Sequence, residues 1–291
     1  MNRQNPFSGL PPAVKVILII NVAVFLLIQL FDLLLPQMIG ARLINPSLAH
    51  ILGMHLPGAD HFFVFQYITH IFTQENFFHL LFNMFPVFMF GYILEKRWGT
   101  KRFVFYYLFT GLGAACLQSL VSWWEYSQVM AQFQEFVASP DPGLFAEFLR
   151  DHKGSVLLNR ILRFQGWEPL PEVLNQWSGA LNPALYIEKA KGTYELFLYG
   201  TLNTPCIGAS GAVFGILLAF GMLFPNTDLY LMFIPIPIKA KYFVIGYGLV
   251  ELYLGLQNRA GDSVAHFAHL GGMLFGFLLI YYWRKHSKRF Y

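Results

Sequence analysis

Six stretches of this chain, roughly 14–35, 77–94, 103–124, 207–224, 241–257 and 264–283, each run for about 17 residues or more with almost no charge. A helix crosses the hydrocarbon core of a bilayer with about 20 apolar residues. Helices are also one of the few structures that can do so, because each backbone N–H and C=O finds its partner within the segment. The pattern predicts an all-α membrane protein, a single domain over residues 1–291 built on six transmembrane helices. Composition agrees: 12% of residues are charged, half of the roughly 25% of an average soluble domain. The run from Val14 to Leu35 exceeds the roughly 7–15 apolar residues of a signal peptide and reads as an uncleaved first helix.

Charge placement orients the helices. With the N-terminus inside, 12 of the 20 Lys and Arg residues fall in short inner loops or tails, among them Lys96, Arg97, Lys239 and Arg284. That is where the positive-inside rule operates, and it predicts both termini cytoplasmic. The segment 125–205, between the third and fourth helices, then becomes an extended extracytoplasmic loop. It carries amphipathic stretches, Gly143–Arg150 and Ser155–Phe164, that predict short helices, some lying on the membrane surface. The aromatic-rich segment 39–76 reads as interfacial or partly buried. Cys116 and Cys206 have no paired spacing and read as buried free thiols.

Polar side chains within a bilayer are costly and face a protein interior or a wetted cavity. Three clusters need a reason. His79 and Asn83, four residues apart, share one face of the second helix, either as packing hydrogen-bonders or as donors to a reacting group. Gly208-Ala209-Ser210-Gly211 opens the fourth helix. Ser210 is there a helix cap or a nucleophile, and Gly211 with Gly215 forms a GxxxG pair. The pattern is similar to the nucleophile elbow of soluble hydrolases, but the strand that elbow needs is missing. His269 opens the sixth helix, and Gly272 and Gly276 lie within about 60° and 20° of it around the axis. If those glycine faces pack backbone to backbone, a serine hydroxyl comes to lie beside an imidazole, which is what activates a hydroxyl for attack. The Ser210 amide, His79 and Asn83 would supply donors for an oxyanion.

As a set, in this order and across six spans, these motifs give the chain a clear likeness. It resembles the rhomboid intramembrane serine proteases over roughly residues 14–124 and 200–283. The resemblance implies a six-helix bundle with a water-filled cavity open to the outer side. It implies Ser210 as nucleophile, His269 as general base, and His79 and Asn83 as oxyanion side chains. Gly208, Gly211, Gly272 and Gly276 support the site, and Phe214 matches an aromatic ring stacked on the histidine. Glu95–Phe103, with Gly99, is similar to the family's second loop.

A dyad with no acid is implied. Asp262 reads as solvated, and Glu251, in the fifth span, as a snorkelling or hydrogen-bonded structural acid. His266, one turn before His269, competes as base, and the glycine spacing favours His269. His70 is given no role. The expected substrates are transmembrane segments of other membrane proteins, cut near their outer end where local unwinding exposes the bond, with small side chains at the cut. The bilayer is the other partner, and no nucleic acid, cofactor or metal is expected; the HExxH of zinc-dependent proteolysis is missing. With neither an extra helix nor a transit peptide, a bacterial cytoplasmic membrane is expected. Two other readings stay open: a non-catalytic relative that escorts membrane helices, and a transporter using the polar residues as its pathway.

Overall fold

The computed structural model describes residues 9–39, 47–153, 155–167, 170–231, 234–257 and 264–286. Pro12 starts α1 (Pro12–Ile39), at the position where a missing N–H costs nothing. The next two N–H groups of that helix, on Ala13 and Val14, donate to the two carboxylate oxygens of Glu95 at 2.9 and 2.8 Å. Glu95 also accepts from the Thr100 hydroxyl at 2.8 Å and is 2% exposed. One side chain thus caps the start of α1 from a distant part of the chain. Glu95→Ala leaves those buried N–H groups without a partner, and we expect it to cost about 2–4 kcal/mol. Thermal unfolding in detergent reads this, and an unchanged midpoint would remove the cap from the account.

Two short helices, α2 (Leu48–Leu52) and α3 (Gln66–Thr69), precede α4 (Phe77–Pro86). A π turn at Val87–Gly91 follows Pro86, which has no N–H for the ladder, and leads into α5 (Tyr92–Trp98). After Gly99, at φ +80°, α6 (Thr100–Ala138) runs for 39 residues, about 58 Å at 1.5 Å per residue. The helices α7 (Pro142–Asp151), α8 (Val156–Phe164), α9 (Leu170–Ser178) and α10 (Ala184–Asn203) lead to α11 (Ser210–Leu223). An antiparallel hairpin, β1 (Asp228–Leu231) and β2 (Ile234–Lys239), is pinned by a 2.8 Å Lys239–Asp228 ion pair. The chain closes with α12 (Ala240–Gln257) and α13 (His266–His286).

The result is an all-α membrane bundle with one small hairpin. Among the described residues α1, the α4–α5 unit and α6 are long and apolar enough to cross a membrane, while α11 is apolar but shorter. Large apolar side chains cover the outside: Leu26, Leu33, Phe78, Phe82, Leu249 and Leu256 are each more than half exposed. Water would penalise such a surface; lipid does not.

Inside, α6, α11 and α13 form a close-packed triangle. Added Cβ atoms on Gly211, Gly113 and Gly276 would overlap Ala114, Phe275 and Tyr106, so these glycines are what allow the approach. The Tyr106 hydroxyl donates to the Gly215 carbonyl at 2.8 Å across this interface.

The segment 125–205 is helical throughout most of its length, and its amphipathic stretches turn toward one another. Phe145, Phe148, Leu158, Trp167, Trp177 and Tyr194 bury themselves around Phe136 of α6, forming a second core. The expectation of surface-lying helices is therefore corrected for α7 and α8. The apolar face of α7 carries Phe145 and Phe148 and that of α8 carries Leu158 and Ile161, and these gain more from packing together (Phe148 and Tyr194 centroids are 4.1 Å apart) than from a headgroup layer. The expectation of buried thiols is corrected too. Cys116 is exposed on the apolar surface of α6, and Cys206 is partly buried; both are free.

Candidate active site

Ser210 is the first residue of α11, so its backbone N–H belongs to the first turn, where amides have no intrahelical partner. The approach to it is fixed from outside. Cys206 exchanges two 2.8 Å backbone hydrogen bonds with Met54, and the Gly208 N–H donates to the His70 carbonyl at 2.9 Å. Gly208 holds φ +126°, and a Cβ there would lie 2.8 Å from His79 Nε2 and 3.7 Å from Ser210 Oγ. Glycine at 208 thus serves two ends. It adopts a backbone that other residues resist, and it leaves open the space into which His79 and Ser210 both point.

His79 sits in the first turn of α4. Asn76 caps that helix by accepting the His79 N–H at 2.9 Å, and the Glu75 N–H donates to His79 Nδ1 at 3.3 Å. A ring nitrogen that accepts carries no proton, so in the neutral ring the proton is on Nε2. His79 therefore presents an N–H donor toward Gly208 and Ser210.

His269 comes from α13. Its ring lies 4.1 Å from that of Phe214 at 9°. Phe214 is one turn after Ser210 on the same face of α11, so the imidazole stands over the face that carries the serine. The backbones meet behind it, since a Cβ on Gly272 would overlap the Gly211 carbonyl. His269 Nδ1 is 2.8 Å from Glu251 Oε2, which puts the proton of the neutral ring on Nδ1 and the lone pair on Nε2. The two histidines thus hold opposite tautomers: one offers a donor, the other a base.

Asn83 stands one turn further along α4 than His79 and is 4% exposed. It donates one amide N–H to Gln74 Oε1 at 2.8 Å, and Gln74 donates to Asn21 of α1 at 2.9 Å. Asn83 is part of a buried chain of amides behind the site. His266 Nδ1 lies 2.6 Å from Glu251 Oε2, so the competing histidine shares the carboxylate of His269. Asp262 lies outside the described residues.

Glu251, His266 and His269 also form a group whose donor atoms lie within 4.8 Å of one another. The 2.6 and 2.8 Å separations are those of N–H donors on a carboxylate oxygen. Two ligands of one tetrahedral zinc, bound at about 2.0–2.1 Å, stand near 3.3 Å apart. A narrow cavity with room for about one water molecule opens beside Ser210, lined by His70, Cys206, Ala265 and Ala268.

The rhomboid domain matches residues 61–129 and 185–286, more than half of the chain, including the helices that carry His79, Asn83, Ser210, Phe214, Glu251 and His269. The chain belongs to the rhomboid family. The unmatched stretch between those two blocks contains α7, α8 and α9, so the second core is largely an addition to the rhomboid domain. An uncharacterized mitochondrial rhomboid protein of Schizosaccharomyces pombe is 27% identical over 231 residues, covering 76% of this chain and 52% of the relative. This rhomboid thus spans about half the length of that relative. It is a multi-pass integral membrane protein, as the family and its apolar exterior require.

Of the residues singled out in the sequence, Ser210, His79, Phe214, His269, Gly208, Gly211 and Gly272 converge, while Gly276 packs deeper, against Tyr106 and Thr110 of α6. Asn83, one turn from His79 on α4, gives one amide hydrogen to Gln74 and has a second. Sequence alone marks Glu251 as a snorkelling or hydrogen-bonded structural acid, and the structure pairs it with His269 and His266. The available signal was a carboxylate in an apolar helix flanked on one face by Gly248 and Gly255.

His70 gives this rhomboid a pH dependence. Its ring, in the segment between α1 and α4, donates from Nδ1 to the Gln66 carbonyl at 2.9 Å. Burial holds its pKa down at about 4, and burial lowers those of His50 and His55 as well. Unfolded, such rings take up a proton near pH 6.5; folded, His70 does so only near pH 4. The part of stability linked to these rings is therefore fully present above pH 6.5 and is lost as the pH falls toward 4, about 3 kcal/mol of it from His70. Thermal midpoints in detergent across that range should fall steeply in the wild type and less in His70→Gln. Parallel curves would exclude this origin.

Proposed function

We propose that this rhomboid is an intramembrane serine endopeptidase that hydrolyses a peptide bond near the outer end of a transmembrane segment in another membrane protein. The observation that carries the reading is the His269 ring stacked on Phe214, one turn from Ser210, with its Nδ1 held by a carboxylate. That leaves Nε2 as a base on the side of the nucleophile.

The Ser210 hydroxyl gives its proton to His269 Nε2 as Oγ bonds to the scissile carbonyl carbon. The carbonyl electron pair becomes an oxyanion, which the Ser210 amide and the Nε2–H of His79 stabilise at the positive end of α11. Asn83 has a second amide hydrogen besides the one given to Gln74, and that hydrogen serves the same oxyanion. Collapse breaks the C–N bond, and His269 returns the proton to the leaving amine. Water, giving a proton to His269, then adds to the acyl carbon, and as the C–Oγ bond breaks His269 returns that proton to Ser210 Oγ, releasing the new carboxyl end.

A substrate helix satisfies its own backbone, so the bond must first unwind, and segments with helix-weakening residues and small side chains near the cut suit this site. Charge placement supports six spans with both termini on the cytoplasmic side, which puts the site on the outer half and the helices α7–α10 outside. A bacterial cytoplasmic membrane remains a proposal from sequence; the yeast relative's name puts that protein in mitochondria. The test is cleavage of a single-pass substrate in proteoliposomes by wild type and Ser210→Ala. Cleavage that survives the substitution ends this reading.

A further inference from the structure

Glu251 lies on α12, buried to 4% exposure, and α12 approaches α13 through small residues on either side of it. A Cβ on Gly248 would come within 3.1 Å of Met273, and one on Gly255 within 3.1 Å of His266. Gly248, Glu251 and Gly255 share one helix face, so the two glycines let that face press against the histidine-bearing turn of α13. One turn before Glu251, Tyr247 packs on Phe214 with centroids 4.7 Å apart, and Phe214 in turn lies flat on His269. The imidazole is therefore fixed on its face by an aromatic ring and at Nδ1 by a carboxylate oxygen. The same oxygen, Oε2, accepts from His266 Nδ1, and this second donor locks the carboxylate in place.

We infer that Glu251 is a positioning residue for the proposed proteolysis, holding His269 in the Nδ1–H tautomer with its Nε2 lone pair turned to Ser210 and stabilising the imidazolium that forms during attack. The inference rests on the protease reading. It extends the expected pair of catalytic residues to a line that runs from α12 by hydrogen bond to α13 and from there toward Ser210 of α11, with His266 as a second anchor for the acid.

The purpose is chemical. A neutral imidazole without a partner at Nδ1 divides its proton between two nitrogens, and only one of the two forms can accept the serine proton. A carboxylate at Nδ1 removes the idle form.

Kinetics in proteoliposomes with a single-pass substrate test this, with wild type and Ser210→Ala as upper and lower references. Glu251→Gln and Glu251→Leu are expected to lower kcat about 10²–10⁴-fold with KM changed less than about threefold. Glu251→Asp should recover part of kcat, and fluorophosphonate labelling of Ser210 should slow in step with each variant. A purely structural acid would instead lower the thermal midpoint and the fraction of active protein while leaving kcat per labelled site intact, and that outcome overturns the inference. So does wild-type kcat in Glu251→Leu, which leaves the protease reading standing.

The tautomer is read independently of cleavage, by ¹⁵N spectra of histidine-labelled protein in micelles. The wild type should carry the His269 proton on Nδ1, and Glu251→Gln should shift it toward Nε2. A proton on Nε2 of His269 in the wild type overturns the inference whether or not any variant folds.

Discussion

Ser210→Ala, His269→Ala and the double variant should all fall to one common residual rate, about 10⁵–10⁶-fold below wild type in kcat. The reason is that in the proposed mechanism the two side chains act in a single step. Without His269 Nε2 the hydroxyl keeps its proton and is a poor nucleophile; without the hydroxyl the base has nothing to activate. Whatever remains comes from the first-turn amides of α11 and from His79, which neither substitution touches. The thermal midpoint of Ser210→Ala should stay near wild type, since removing one hydroxyl opens no large cavity. The measurement is single-turnover cleavage in proteoliposomes for the four proteins. Losses that multiply in the double variant would mean that serine and histidine act separately.

Gly272→Leu should abolish cleavage and destabilise the bundle together. A Cβ at 272 overlaps the carbonyl of Gly211, which is backbone and has no rotamer to yield. The helices α11 and α13 must therefore part along the seam that sets His269 over Phe214. Overpacking of this kind costs about 1–3 kcal/mol or more, and a 1 Å displacement of reacting groups is enough to cost about 100-fold in rate. Gly272→Ala should show the same two effects at smaller size. Gly246→Ala is the control: nothing lies within 4 Å of a Cβ there, and its helix should be unaffected or slightly firmer. Wild-type midpoint and rate in Gly272→Leu would mean that the seam is looser than described.

Much of this architecture is legible in the sequence, for physical reasons. Hydropathy marks the helices that meet lipid, and glycine spacing on α11 and α13 marks the faces that meet each other. The polar residues among them then have few places to go. What escapes is whatever depends on register between helices or on contacts far along the chain. Glu251 is visible as a carboxylate in an apolar helix, but its partner follows from how α12 slides along α13, which one sequence does not encode in any local pattern. Asn83 fits an oxyanion donor by spacing, while its tie to Gln74 and Asn21 comes from the packing of α1. The length of α6 escapes because residues 125–138 carry polar side chains where hydropathy ends, although nothing in them breaks a helix.

That long helix has a consequence for how the gene can change. Phe103 and Tyr107 hold α6 in the bundle, and Val129 and Phe136 hold it in the second core, with no break between them. Each residue inserted or removed along the intervening turns would swivel one core about 100° against the other, while α10 still has to return to Ser210. Point changes on the exposed sides of those turns should be absorbed easily, whereas length should be nearly frozen.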